Sequence, residues 1–225
     1  MKRIFLTVMM LFCLVLTAAA SQISYDKSGF DKVYTVVDDA AYDIRYYSSY
    51  NFTGSRINGY KAPVAYMTKE ALAALAVAAE DLRKQGYRLL IWDTYRPQKA
   101  VDNFVAWIND PNDEGDKSFY PELKKSDLIK GNYIAEKSGH TRGSTVDLTL
   151  IKMDGSFVDM GGTFDLFSEI SHPDYKKLTR KQKHNRKILH DAIIKAGFSG
   201  IDSEWWHFTL KNEPYPDTYF DFDVE

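Results

Sequence analysis

The stretch Ser138-Gly-His-Thr-Arg-Gly-Ser-Thr-Val-Asp147 places a histidine and an aspartate seven residues apart, directly before the apolar run Leu-Thr-Leu-Ile. On a regular strand, residues seven apart point to opposite faces, so the two side chains can meet only if the chain turns sharply between them. Gly143 permits the backbone conformation that such a turn needs. We therefore expect a turn at His140 that leads into a strand beginning near Asp147.

A second histidine comes with a carboxylate near the end of the chain, in the segment Glu204-Trp-Trp-His-Phe. Glu204 and His207 are three residues apart, an odd spacing that a regular strand would separate. Glu204 must therefore lie in irregular backbone if both residues serve one site. His184 and His190 lie on a predicted helix and are expected to be solvated, and a supporting role for the loop residue His172 stays open.

Two histidines and one carboxylate are a normal ligand set for a catalytic zinc ion, which keeps its fourth position for water. A further carboxylate that is not a ligand can then accept a proton from that water. The spacing alone leaves another interpretation open, in which these histidines are satisfied core residues among aromatic side chains.

The first twenty residues have the features of a secretory signal peptide. Lys2 and Arg3 give a positive start, an apolar run follows, and Ala18-Ala-Ala20 forms a small-residue cleavage site. The run is too short for a permanent membrane span. Cys13 as a lipid anchor is the alternative, but bulky residues precede it. We expect cleavage before Ser21 and a periplasmic or secreted protein.

Removing the signal peptide leaves 27 basic and 31 acidic residues, a net charge of −4, and no cysteine. A mature chain without cysteine has no disulfide framework, cysteine nucleophile or thiolate metal ligand. A mildly acidic chain without a basic block has no electrostatic signature of nucleic-acid binding. The sequence does not indicate the oligomeric state.

The remaining pattern mixes helices with hairpins. Helices are predicted from a Thr68 cap to Gly86, from Pro97 to about Ile108 and over residues 179–196. Strands are predicted at 87–93, at 146–152 with a hairpin turn at Asp154-Gly155, and in the segment SEWWHFTL. Strand and helix do not alternate regularly, which favours an α+β fold with a mostly antiparallel central sheet flanked by helices. Residues 21–225 are expected to form a single domain.

Four segments resemble the zinc D-Ala-D-Ala metallopeptidases. SGHTRGSTVDLTL is similar to their Ser-x-His-x-x-Gly-x-x-x-Asp motif, and EWWHF to their Glu-x-x-His motif. DTYRP and DMGGTFDLFSEISH resemble segments of the D-alanyl-D-alanine dipeptidase branch, known from vancomycin-resistance operons. The four segments occur in the family's order. The resemblance implies a zinc site of the hedgehog and D-Ala-D-Ala-peptidase type, with one zinc ion per chain.

Position by position, the resemblance makes His140, Asp147 and His207 the zinc ligands. It makes Glu204 the catalytic base and Arg96 the residue that stabilises the transition state, although a structural salt bridge from Arg96 to Asp93 stays open. It further implies two substrate contacts, Ser138 and Asp165. Asp165 would hold the free amine of the substrate, and its alternative role is to cap a loop.

Three functions follow from the resemblance. The first is hydrolysis of free D-Ala-D-Ala, and the second is a zinc D,D-carboxypeptidase or endopeptidase activity on peptidoglycan stem peptides. The third is a binding module that keeps zinc only for structure, which Glu204 and Arg96 argue against. The resistance enzymes are usually cytoplasmic, whereas this chain carries an export signal. An exported dipeptidase fits recovery of D-alanine from wall turnover better than resistance.

Overall fold

The computed structural model describes residues 22–130 and 133–225, so the predicted signal peptide and its cleavage site lie outside the described residues. The helices are α1 (Lys69–Lys84), α2 (Gln98–Asn109), α3 (Asp127–Lys130) and α4 (Arg180–Lys195). The strands are β1 (Gln22–Ser24), β2 (Phe30–Lys32), β3 (Ala41–Tyr42), β4 (Tyr66–Thr68), β5 (Tyr87–Asp93), β6 (Thr145–Lys152), β7 (Phe198–Gly200), β8 (His207–Leu210) and β9 (Thr218–Phe220). Within the described ranges, no helix has the length and apolar character needed to cross a membrane.

The central sheet has five strands in the order β3-β5-β6-β8-β7. The β3–β5 pair is parallel, and the other three pairs are antiparallel. The α+β class is therefore confirmed, with a mostly antiparallel sheet. In the register of the central strands, Asp147 on β6 lies opposite Asp93 on one side and His207 on the other. Three residues from distant parts of the sequence thus lie side by side across the sheet.

The two long helices begin and end as the sequence predicts. The Thr68 hydroxyl accepts a hydrogen bond from the Ala71 N–H at the start of α1, and Gly86 follows the helix with a φ of +86°. Thr179 and Gln182 form a capping box at the start of α4. Because the apolar faces of α1 and α4 carry buried residues such as Leu75 and Leu189, packing onto the sheet supplies most of the stability of these helices.

Three local features differ from the sequence-based expectations. Pro97 precedes α2 in extended backbone instead of occupying its first turn. The Asp154-Gly155 turn is present, but the returning chain makes a single bridge between Phe157 and Ile151 instead of a strand. The last residues, which carried no prediction, form β9 and pair in parallel with β1.

Candidate active site

His140 lies in a single turn of 3-10 helix, Gly139–Arg142, which ends at Gly143 in the left-handed conformation with a φ of +82°. The Ser138 hydroxyl accepts a hydrogen bond from the His140 N–H and caps this turn. A β-carbon at Gly143 would lie 2.1 Å from the ring of Phe30, so glycine is needed here for space as well as for conformation. The sharp turn predicted between His140 and Asp147 is confirmed.

Three side chains converge where this turn meets the centre of the sheet. The Nε2 atom of His140 lies 3.1 Å from Oδ2 of Asp147, and Nδ1 of His207 lies 3.1 Å from Oδ1 of the same carboxylate. The two imidazoles approach each other to 3.3 Å between His140 Nε2 and His207 Nδ1. One ligand atom from each residue lies within 4.8 Å of the other two, a geometry that can hold a metal ion.

The tautomer of His140 is fixed by its surroundings. Its Nδ1 lies 2.7 Å from the carbonyl oxygen of Thr94, which can only accept a hydrogen bond. Nδ1 therefore carries the proton, and the Nε2 lone pair faces Asp147 and His207. Burial lowers the pKa of His140, which favours the neutral imidazole that metals bind.

The donor atoms fit a divalent cation. Oδ1 of Asp147 is buried, and the structure gives it no hydrogen-bond partner, although His207 Nδ1 lies 3.1 Å away. Burial by itself would raise the pKa of Asp147, but the neighbouring His140 and His207, when protonated, outweigh it and hold that pKa below its usual range. A buried, ionised carboxylate with an unpaired oxygen is costly in the absence of a cation, and a metal ion held by these three residues would remove that cost.

Glu204 lies beside these three residues, in irregular backbone before β8, as its odd spacing from His207 predicts. Its Oε2 atom is 3.5 Å from Nδ1 of His207. Burial raises the pKa of the Glu204 carboxyl to about 7. The next two residues, Trp205 and Trp206, are buried and pack against the core, with Trp205 in edge contact with Trp92 at 5.9 Å. These tryptophans hold the backbone on which Glu204 is mounted.

Arg96 makes the predicted salt bridge and also faces Asp147. Its Nε donates to Oδ2 of Asp93 at 2.9 Å, while its Nη2 lies 3.6 Å from Oδ2 of Asp147. Tyr60 donates to the other oxygen of Asp93 at 2.6 Å and fixes that carboxylate in turn. The guanidinium also lies over the ring of Tyr46, 4.9 Å from its centroid. The salt bridge and a role in the site are therefore compatible, because they use different nitrogen atoms.

Asp165 reaches the site from a loop and in a conformation that few residues other than glycine adopt. Its φ is +57°, and among the described residues it is the only one other than glycine with a positive φ. The Tyr46 hydroxyl donates to Oδ2 of Asp165 at 2.8 Å. Burial raises the pKa of Asp165 well above its usual range, although Arg96 acts in the opposite direction. Aspartate tolerates this left-handed conformation better than most residues.

One pocket, with a volume of about 160 Å³, brings together all seven residues singled out from the sequence: Arg96, Ser138, His140, Asp147, Asp165, Glu204 and His207. His172, His184 and His190 do not line it, and the last two are exposed on α4 as expected. Three partners that no sequence motif predicts hold Asp165, Asp93 and His140, namely Tyr46, Tyr60 and Thr94. No local pattern marks these partners, because each contact joins residues far apart in the chain.

Comparisons with known proteins indicate the family to which this chain belongs. The model of the peptidase M15 family, described as D-ala-D-ala dipeptidase, matches residues 26–225. A D-alanyl-D-alanine dipeptidase of Streptomyces coelicolor is 42% identical over 191 residues, which cover 84% of this chain and 95% of that protein. A protein of the same name from Enterococcus faecium is 39% identical, over 88% of this chain and 98% of its own length. Another from Escherichia coli is 31% identical, over 78% of this chain and 81% of its own length.

Among solved structures, a mutant of the vancomycin-resistance D,D-pentapeptidase VanY in complex with Zn(II) is similar with a TM-score of 0.39 and 10% identity, over 68% of this chain and 77% of that chain. The family match covers nearly all of the described residues, from the segment after β1 to the end of the chain. This chain belongs to the D-ala-D-ala dipeptidase family of M15 peptidases.

Proposed function

We propose that this chain is a zinc dipeptidase that hydrolyses D-alanyl-D-alanine to two molecules of D-alanine. The observation that carries the proposal is the convergence of His140, Asp147 and His207 in one small pocket with Glu204 and Arg96. Membership of the M15 peptidase family and the shared name of the relatives support the reaction and the substrate.

His140, Asp147 and His207 are the residues that would hold one zinc ion per chain. Two imidazoles and one carboxylate suit zinc, whereas calcium and magnesium prefer sites made of oxygen ligands. Zinc, when bound, supplies a Lewis acid that polarises a carbonyl group and makes water nucleophilic at neutral pH. The Nδ1–H bond from His140 to the Thr94 carbonyl orients the imidazole before any metal arrives.

Glu204 is the general base in this proposal. Its partly buried carboxyl approaches His207 with one oxygen, and the described residues give it no hydrogen bond that would occupy both oxygens, so it can accept the proton of the attacking water. The same group can then deliver the proton to the leaving amine. Arg96 keeps its charge at any relevant pH and can share the negative charge that develops on the carbonyl oxygen, an effect of about 3 kcal/mol for one good donor.

Asp165 and Ser138 are the proposed substrate contacts. A carboxylate in the pocket wall can pair with the free amine of a dipeptide, and the approach of an ammonium group would favour the ionised form of Asp165. The pocket volume of about 160 Å³ lies below the roughly 300–1,000 Å³ of pockets for drug-sized ligands. Both features favour a free dipeptide over the longer stem peptides of a D,D-carboxypeptidase or endopeptidase, which have no amine at that position.

The deciding experiment compares D-Ala-D-Ala with N-acetyl-D-Ala-D-Ala and a stem pentapeptide, for the wild type and for Asp165→Asn. We expect hydrolysis of the free dipeptide, little hydrolysis of the other two, and a raised KM for the dipeptide in the variant. Equal or faster cleavage of the acetylated and longer substrates would favour the carboxypeptidase or endopeptidase instead. A wild-type protein that binds zinc and cleaves none of the three would indicate a binding module.

We further propose that the protein works outside the cytoplasm, where it would recover D-alanine from cell-wall turnover. The charged start, apolar run and Ala18-Ala-Ala20 site of the first twenty residues support export. N-terminal sequencing of protein from the cell envelope or medium should give a chain that begins near Ser21. Recovery of the protein with an intact Met1 in the cytoplasmic fraction would contradict this location.

A further inference from the structure

The proposed amine contact, Asp165, is carried by a long loop, residues 159–172, here called the Asp165 loop. One short 3-10 turn, Glu169–Ser171, is the only regular element that the structure describes within it. Loops of this kind have many accessible conformations, and Asp165 itself adopts the uncommon left-handed one. Something outside the loop must therefore hold both of its ends in place.

Arg186 on α4 contacts both ends of this loop. Its Nε donates to the carbonyl oxygen of Met160 at 2.7 Å, near the start of the loop. Its two terminal nitrogens donate to the carbonyl oxygens of Ile170 at 2.8 Å and His172 at 3.0 Å, at the end of the loop. The neighbouring Asn185 donates to the Asp159 carbonyl at 2.7 Å. One guanidinium thus joins two segments that are ten residues apart.

The same guanidinium lies against the backbone segment that carries the proposed base. Its central carbon is 5.2 Å from the ring centroid of Trp205, the residue after Glu204. The Trp205 N–H in turn donates to the Ser171 carbonyl at 2.9 Å, inside the Asp165 loop. Arg186 therefore lies where the Asp165 loop meets the Glu204 segment, although it is not among the described residues that line the active-site pocket.

The chemistry of this contact requires arginine. Arg186 is only 7% exposed, and its three described hydrogen bonds go to carbonyl oxygens in three directions. A planar fork of five N–H donors can satisfy three separated acceptors at once, whereas an ammonium group donates from a single point. Burial lowers the pKa of Arg186 to about 10, so the side chain remains charged at neutral pH. Charged donors make stronger hydrogen bonds than neutral ones.

We propose that Arg186 is a positioning residue for substrate recognition, which holds the Asp165 loop closed so that the Asp165 carboxylate faces the amine of the dipeptide. This inference rests on the role proposed above for Asp165. Arg186 acts through the loop and touches neither the substrate nor the three metal ligands. Its loss should therefore weaken binding of the free amine much more than it slows the chemical step, and it should leave the metal site intact.

The test compares Arg186→Lys and Arg186→Gln with Arg180→Lys and Arg180→Gln, matched changes at an exposed arginine on the same helix. For the Arg186 variants we expect KM for D-Ala-D-Ala to rise about tenfold and kcat to stay within about threefold of wild type. The effect should be smaller than the roughly hundredfold loss of rate that a 1 Å misplacement of a reacting group can cause, because Arg186 acts only through the loop. Zinc content should stay at the wild-type level. Amides of residues 160–172 should exchange hydrogen about tenfold faster, because the loop opens locally.

A double-variant cycle separates positioning from general stability. If Arg186 acts through Asp165, the rise in KM caused by Arg186→Lys should disappear in an Asp165→Asn background. The proposal would be overturned if the effects of the two substitutions on KM were fully additive. It would also be overturned if the Arg186 variants had the KM and the loop hydrogen exchange of the wild type. Global unfolding of both Arg186 variants would also count against it, since the arginine would then support the whole fold. Hydrogen exchange and zinc content need no turnover, so they test whether Arg186 holds the loop even if the wild type fails to cleave the dipeptide.

Discussion

Substituting glutamine for Glu204 separates catalysis from metal binding. Glutamine keeps the size of the side chain and removes a charge that burial disfavours, so the folded state should lose no stability. The proposed ligand set is complete without Glu204, so zinc content should be unchanged. The variant cannot accept a proton at neutral pH, and loss of a general base typically costs about 10²–10⁴-fold in rate, or roughly 3–5 kcal/mol.

The structure indicates that the loss of rate in Glu204→Gln should lie in the upper part of the roughly 10²–10⁴-fold range. The other described carboxylates near the proposed ligands have partners or a proposed role: Asp93 is bound by Arg96 and Tyr60, Asp165 accepts from Tyr46, and Asp147 belongs to the proposed ligand set. No second base is therefore free to replace Glu204 among the described residues that line the pocket. We expect kcat for D-Ala-D-Ala to fall by about 10³-fold or more.

The assay measures kcat, zinc content and thermal unfolding for the wild type, for Glu204→Gln and for Asp202→Asn. The last is the same change of carboxylate to amide at an exposed position two residues earlier, and it should behave like wild type. A Glu204→Gln enzyme that turns over at close to the wild-type rate would place the base elsewhere. A variant that has lost its zinc would make Glu204 a ligand and put Asp147 in doubt.

Three further predictions concern the ligands, the oxyanion and the turn. Metal analysis of His207→Ala should show that the zinc is lost. Its free energy of unfolding should be lower by roughly 3–4 kcal/mol, the stabilisation that a bound ligand gives at a hundred to a thousand times its Kd. A full complement of zinc in this variant would exclude the site. Arg96→Lys keeps the positive charge but loses the planar guanidinium that reaches both Asp93 and the pocket. We expect kcat to fall about 10²-fold while zinc is retained. An unchanged kcat would leave the salt bridge as the only role of Arg96. Gly143→Ala places a β-carbon at a residue with a left-handed φ of +82° and 2.1 Å from the ring of Phe30. The free energy of unfolding should therefore fall by about 2–5 kcal/mol, and Tm by roughly 5–15 °C. Unfolding at the wild-type temperature would show that the turn can relax.

The sequence alone predicted the features that depend on neighbours along the chain. The Thr68 cap and Gly86 define α1 because capping and left-handed glycine are local effects. The odd spacings of His140 from Asp147 and of Glu204 from His207 required a turn and an irregular segment, and both are present. The resemblance to a peptidase family came from four short motifs in a fixed order, and the family match confirms it.

Tertiary structure decided what depends on residues far apart in the chain. The register that sets Asp93, Asp147 and His207 side by side joins three strands, and no single segment encodes which of them become neighbours. The bonds from Tyr46 to Asp165 and from Arg186 to three loop carbonyls have no sequence pattern, because backbone carbonyls are the same at every position. Local sequence thus specified the chemical groups of the site. The distances between those groups, on which binding and catalysis depend, exist only once the sheet and α4 have packed together.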